Sequence, residues 1–148
     1  MKVLSTFLAA LLIGSASMVQ AQPTDKVEVV VESNDMMKFD LSEIKVKAGQ
    51  TVVLTLKHVG KLPAVAMGHN WVLLAPGVDM AAFAQKAVQA KATEYVPENS
   101  KEVLVATALI GGGEETTIEF VAPAAGKYDF ICSFPGHYAM MKGKLIVE

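Results

Sequence analysis

The sequence predicts an all-β domain, a Greek-key sandwich with one helical insertion, and three observations carry that expectation. Short β-prone segments recur at regular spacing and are separated by Gly, Pro and Asn signals. Several of them alternate apolar and polar residues, as half-buried strands do. A single stretch in the middle changes to a helical period.

The elements follow in order. Lys26 to Glu32 is Val-rich (Val27, Val29, Val30, Val31) and Ser33-Asn34-Asp35 breaks it. Glu43 to Val46 is a short second strand ending at Ala48-Gly49. Gln50 to His58 alternates, with Val52, Leu54 and Leu56 on one face and Thr51, Thr55 and Lys57 on the other. Val59 to Pro63 is a loop, and His69 to Leu74 is a strand after Gly68. From Asp79 to about Tyr95, Met80, Phe83, Ala84, Ala87 and Val88 mark one helix face, with Asp79 as N-cap. Lys101 to Ile110 is mixed and runs to Gly111-Gly112-Gly113. Thr116 to Val121 alternates again. Gly126 to Cys132 puts Tyr128, Phe130 and Cys132 on one face, and Lys142 to Glu148 closes the chain with Leu145 and Val147 paired.

The first 21 residues read as a secretory leader. Lys2 supplies the positive start, Phe7 to Ile13 the apolar run, and Val19-Gln20-Ala21 the small-residue cleavage site. The expected domain is therefore 22–148, exported to the periplasm, with no later segment apolar enough to anchor it in a membrane. The chain carries a net charge of -2, which gives no electrostatic case for nucleic acid. An exported chain with one cysteine cannot form an internal disulfide, so its thiol needs another use.

That use is suggested by Cys132-Ser133-Phe134-Pro135-Gly136-His137-Tyr138-Ala139-Met140-Met141. A thiolate, an imidazole and a thioether within ten residues are a soft donor set that selects copper over hard cations. Pro135-Gly136 is a turn signal that folds His137 back toward Cys132. A trigonal copper site of two His and one Cys with a weak axial Met needs one further histidine from elsewhere. Taken alone, a buried Cys is more often an inert small hydrophobe, and His58, ending the Val52/Leu54/Leu56 face, reads as a hydrogen-bonded core histidine. Trp71 reads as core.

Three motifs in order resemble the azurin-type blue-copper cupredoxins: Met67-Gly68-His69-Asn70-Trp71-Val72-Leu73, Cys132-Ser133-Phe134-Pro135-Gly136-His137, and Met140-Met141-Lys142-Gly143. Asn34-Asp35 with Met37 and Phe39, and Leu109-Ile110-Gly111, extend the resemblance over nearly the whole expected domain. It implies a cupredoxin fold, one type 1 copper ion and an electron carrier rather than an enzyme. The copper ligands it implies are His69, Cys132 and His137 in the plane, Met141 as axial thioether, and the Gly68 carbonyl as a distant contact. Met140 competes with Met141, and the family's spacing favours Met141. Asn70 and Ser133 are implied to tie the ligand loops together, with the backbone N–H groups of Asn70 and Phe134 directed at the sulfur.

The resemblance also implies an apolar docking patch of Met37, Leu62, Met67, Phe134, Pro135 and Met140 around His137. Its partners would be redox proteins such as c-type cytochromes and periplasmic reductases or dehydrogenases. A non-ligand histidine that can titrate is implied at His58. One departure is the N-terminal disulfide usual in the family, whose positions fall near Val27 and Ala48, both apolar. The alternative from a different class is a copper chaperone or store, which would bind Cu(I) without intense colour. A Cys-His nucleophile enzyme would want an accessible Cys in a cleft or at a helix N-terminus.

Overall fold

Alternation in the sequence becomes strand pairing in the structure, a computed structural model that describes residues 25–148. The expected leader, and with it the boundary at residue 22, lies outside those residues. Nine strands are described: β1 Lys26–Asn34, β2 Lys38–Phe39, β3 Glu43–Val46, β4 Thr51–His58, β5 Val72–Leu74, β6 Val103–Ala106, β7 Glu115–Val121, β8 Gly126–Ile131 and β9 Lys142–Val147. They form a four-stranded sheet in the order β2-β1-β4-β7 and a five-stranded sheet in the order β3-β9-β8-β5-β6. The chain changes sheet repeatedly, as a Greek-key sandwich requires. The parallel pairs β1–β4 and β3–β9 result from those crossovers. None of the described helices is long and apolar enough to cross a membrane.

The alternating strands supply the core between the sheets. Val31, Val52, Leu54 and Leu56 of the first sheet meet Ile44, Val46, Leu73, Phe130, Leu145 and Val147 of the second. Trp71 packs between Phe120 and Phe130, with ring centroids at 6.0 and 5.2 Å. Its Nε1–H is the one buried side-chain polar atom without a partner among the described residues. That costs about 1–3 kcal/mol, against the gain of burying a whole indole.

β5 does not alternate: Val72, Leu73 and Leu74 are all buried. The reason is the helix α2 (Met80–Gln89), which covers the outer face of the second sheet. Phe83 and Ala87 pack there on Val72, Leu74 and Ile131. Asp79 caps α2 as expected, accepting from the Ala82 N–H at 2.8 Å. Val88, expected on the buried face, is 43% exposed. The helix is also shorter than expected. After Gln89 come a single 3-10 turn, Lys91–Thr93, and two residues of positive φ, Glu94 and Tyr95. Thr93 Oγ1 donates to the Ala90 and Val96 carbonyls and closes this turn.

One further expectation is corrected near the pole where β8 ends. The strand expected from His69 starts at Val72. His69 instead forms an isolated bridge with Ile110, and the Thr107 hydroxyl takes the Trp71 N–H at 2.9 Å, so the regular ladder is interrupted. Ahead of it, a single helical turn, α1 Ala64–Met67, and the short β2 were not expected at all. Within the mixed segment 101–110 the strand is β6, Val103–Ala106.

Leu54 is wholly buried at the centre of the first sheet. Leu54→Ala should lower stability by about 2–5 kcal/mol, read as a lower urea midpoint at unchanged slope.

Candidate metal centre

β8 ends at Ile131, and the next residue, Cys132, turns its thiol into the interior at the end of the sandwich. The Cys132 N–H donates to the Met141 carbonyl at 2.9 Å, so the loop that leaves β8 returns beside its own start. Within that loop Gly136 has φ +82°, a left-handed turn position that suits glycine. His137 N–H bonds the Phe134 carbonyl, and Met141 N–H bonds the His137 carbonyl at 2.9 Å. Cys132, His137 and Met141 are thus held in one tight loop. Met141 and Cys132 are fully buried, and His137 is 4% exposed.

His69 arrives from the segment just before β5, the strand beside β8. Its backbone N–H and carbonyl both pair with Ile110 at 2.9 Å. Its Nε2–H donates to the Asn34 carbonyl at 2.9 Å, which leaves a lone pair on Nδ1. Gly68, just before it, has no room for a side chain: a Cβ there would sit 2.6 Å from the Ala64 carbonyl. The Gly68 carbonyl lies 3.9 Å from Cys132 Sγ.

The donors converge. His69 Nδ1 and His137 Nδ1 are 3.2 Å apart, and Cys132 Sγ is 3.9 and 3.7 Å from them. All three donor atoms lie within 4.8 Å of one another, and all three residues are buried. Two imidazole nitrogens and one sulfur at these separations could reach a single ion between them, and that donor set suits copper. The residues therefore fit the ion.

The two ligand loops are clamped by one amide. Asn70 Oδ1 accepts from the Ser133 N–H at 2.8 Å, and Asn70 Nδ2 donates to Ser133 Oγ at 2.9 Å. Asn70 Nδ2 also donates to the Glu94 carbonyl at 3.1 Å. Burial pushes the Cys132 thiol up to about 12. The backbone N–H groups of Asn70 and Phe134 act the other way, as they do when hydrogen-bonded to the sulfur. Burial likewise pushes His69 down to about 4, against the opposing bond to the Asn34 carbonyl, and lowers His137.

His58 is the hydrogen-bonded core histidine expected of it. Its Nδ1 accepts from the Gly60 N–H and its Nε2–H donates to the Met67 carbonyl, both at 3.0 Å. Its ring stacks on His69 at 4.4 Å. Asp35, beside it, is held below the usual carboxylate range by the Lys61 N–H, with Leu62 adding to the effect.

Sequence reading missed three supports of the site. The Asn34 carbonyl fixes the His69 tautomer, the Thr107 hydroxyl fixes the Trp71 backbone, and Glu94 holds both Asn70 and the Leu109 N–H. Asn34 lay within a matched motif, but a backbone carbonyl leaves no mark in residue type.

The depressed His69 pKa fixes a sign. Between about 6.5 and 4 the unfolded chain binds this proton and the folded one does not. Stability is therefore full above 6.5 and falls as pH drops. The metal-free protein should lose up to about 1.4 kcal/mol per pH unit across that window from His69 alone. Urea midpoints at pH 7 and pH 5 measure it.

Residues 25–148 match the family described as copper binding proteins, plastocyanin/azurin family. The chain is 45% identical over 118 residues to outer membrane protein H.8 of Neisseria meningitidis, covering 78% of this chain and 64% of that protein's length. It is 41% identical over 123 residues to azurin of Achromobacter denitrificans, covering 80% of this chain and 82% of the azurin. Among solved structures, auracyanin A, a "blue" copper protein of Chloroflexus aurantiacus, superposes with a TM-score of 0.76 at 34% identity, over 83% of this chain and 99% of that one. With a cupredoxin sandwich and a buried His-Cys-His-Met donor set for one type 1 copper ion, the chain belongs to the plastocyanin/azurin family of copper-binding proteins.

Proposed function

We propose that the protein is a periplasmic one-electron carrier and not an enzyme. The observation that carries this is the convergence of His69, Cys132 and His137 on one buried point. In this reading those three residues are the strong ligands. Met141 would add its thioether and Gly68 its carbonyl. The copper supplies a Cu(I)/Cu(II) couple. The rest of the work belongs to the chain.

Cu(I) and Cu(II) favour different geometries, so a carrier needs donors that do not follow the change. The Asn70–Ser133 clamp, the Asn34–His69 bond and the Cys132–Met141 backbone bond each fix a donor-bearing residue. Holding the donors lowers the rearrangement needed on electron transfer. The backbone N–H groups of Asn70 and Phe134 withdraw density from the sulfur and tune the potential. With every strong position occupied, no vacancy is left for a substrate, unlike a catalytic metal site.

Electrons would pass through His137, the ligand that reaches the surface. The Phe134 ring lies 4.7 Å from its ring. Met140 is 63% and Leu62 42% exposed, while Met37, Met67, Phe134 and Pro135 are half-buried. Met36, 71% exposed, and Val65, 90% exposed, enlarge the apolar surface beyond the expected set. Such a surface suits brief encounters with redox proteins, c-type cytochromes or periplasmic reductases and dehydrogenases among them. Residues 1–21 would be the leader that exports the domain 22–148.

Titration of the protein with copper tests the reading. One equivalent should give intense thiolate-to-copper absorption in the orange, and Cys132→Ser should abolish it. A colourless copper complex would sink the carrier and favour a store or chaperone. Met67→Glu and Met140→Glu should keep the colour and slow electron exchange by about tenfold or more, since a charge desolvated in a docking surface is costly.

A further inference from the structure

Beside the loop that bears Cys132 and His137 lies a cavity that the metal centre does not use. Its volume is about 170 Å³. An apolar cavity of about 150 Å³ takes one benzene ring, whereas sites for larger ligands run to roughly 300–1,000 Å³. The space is therefore that of a single ring. Its apolar walls are Val65 of α1, Leu109, and the rings of Tyr95 and Phe134. Those two rings meet edge to face, with centroids 5.1 Å apart. Val65 and Lys91, which both line the cavity, are exposed, so it opens on the surface.

Two charged groups, Lys91 and Glu94, complete the lining. None of the ion pairs among the described residues involves Lys91. Glu94 is fixed by the chain instead. Its Oε2 accepts from the Leu109 N–H at 2.9 Å, and its carbonyl accepts from the Asn70 amide at 3.1 Å. That leaves Oε1 for a ligand. Glu94 and Tyr95 have φ of 57° and 63°, a left-handed conformation that residues with side chains rarely adopt. The turn is held by the Glu94 N–H on the Lys91 carbonyl and the Tyr95 N–H on the Ala90 carbonyl. Both residues of this disfavoured geometry line the cavity, and such geometry concentrates at ligand sites.

We propose that the cavity binds a neutral single-ring phenol, hydroquinones included. The ring packs against Tyr95 and Phe134. The hydroxyl accepts from the Lys91 ammonium and donates to Glu94 Oε1. A lysine only donates and a carboxylate only accepts, and a hydroxyl answers both at once. A benzoate of the same ring size would gain from Lys91 but face the Glu94 charge. A plain hydrocarbon ring would strip water from both charges and return nothing. The Phe134 ring also lies 4.7 Å from the His137 ring, so one aromatic ring separates a bound phenol from that imidazole. The site goes beyond the carrier reading and does not depend on it, because the chain alone forms its walls.

The test titrates reduced, copper-loaded protein with phenol and follows the side-chain signals by nuclear magnetic resonance. The ring signals of Tyr95 and Phe134 and the methyl signals of Val65 and Leu109 should shift together and saturate. Lys91→Met should weaken binding about tenfold, the scale of losing a hydrogen bond to a charged group. Unchanged signals from the sandwich core check that this variant is folded. Benzoate should bind more weakly than phenol. Shifts that fail to saturate or that fall elsewhere on the surface overturn the proposal. So does an affinity unchanged by Lys91→Met, or benzoate binding as tightly as phenol. A colourless oxidised protein would overturn the carrier reading instead, so the two failures are distinguishable.

Discussion

The Asn70 side chain is the constraint on which the site depends. β5 and β8 are neighbours in one sheet, and their pairing brings Val72 opposite Ile131. The ligands lie just past the ends of those strands, where the ladder has stopped. Asn70 replaces the missing rungs by bonding the Ser133 backbone and hydroxyl across 63 positions of sequence. Its third bond, to the Glu94 carbonyl, anchors the same amide to the loop after α2. A buried amide with its polar atoms engaged has one arrangement, and rotating it would orphan each of them. That rigidity is passed to His69 and Cys132, the residues on either side of the clamp.

The electrostatics of the pole point the same way. Burial keeps the Cys132 thiol and the two imidazoles uncharged in the absence of metal, so the fold carries no bare ions there. A metal ion reverses this preference, because it supplies the charge that makes a thiolate tolerable in a dry site. The backbone N–H groups at the sulfur are ready before the charge exists. The pole is thus built for the bound state and only tolerates the empty one.

Much of this was legible because the relevant signals are local. Pro135-Gly136 before His137 announces the returning loop, and the Val52/Leu54/Leu56 alternation announces the core face. Asn70 and Ser133 emerged through resemblance and are where the clamp is found. What was hidden depended on distant packing. β5 is apolar on both faces because α2 covers its outer one, and Val72-Leu73-Leu74 does not say what covers it. The helix was read too long because Lys91-Ala92-Thr93 favours helix locally, while the positive φ of Glu94 and Tyr95 serves the Asn70 and Leu109 contacts. Side-chain interruption by Thr107 displaced the start of β5 in the same manner.

The N-terminal cross-link that the resemblance implies, which a single cysteine cannot form, would lie away from the pole. β1 runs alongside β4 from Lys26, opposite Thr51, to Ser33, opposite His58. Positions near Val27 and Ala48 are therefore about 20 Å from the copper end, at roughly 3.3 Å per residue. A different link occupies that distant end. The Gln50 amide accepts from the Lys47 N–H and donates to Asp25, Thr51 N–H bonds the Asp25 carbonyl, and Ala48 N–H bonds Glu148. These bonds join the start of β1, the β3–β4 turn and the end of β9, elements that a covalent bridge here would also restrain. Exposed hydrogen bonds are worth about 1 kcal/mol each or less, below the 2–5 kcal/mol typical of a native disulfide. The deficit falls on global stability. The donor distances are set by Asn70, Asn34 and the Cys132–Met141 backbone bond, none of which lies near that end.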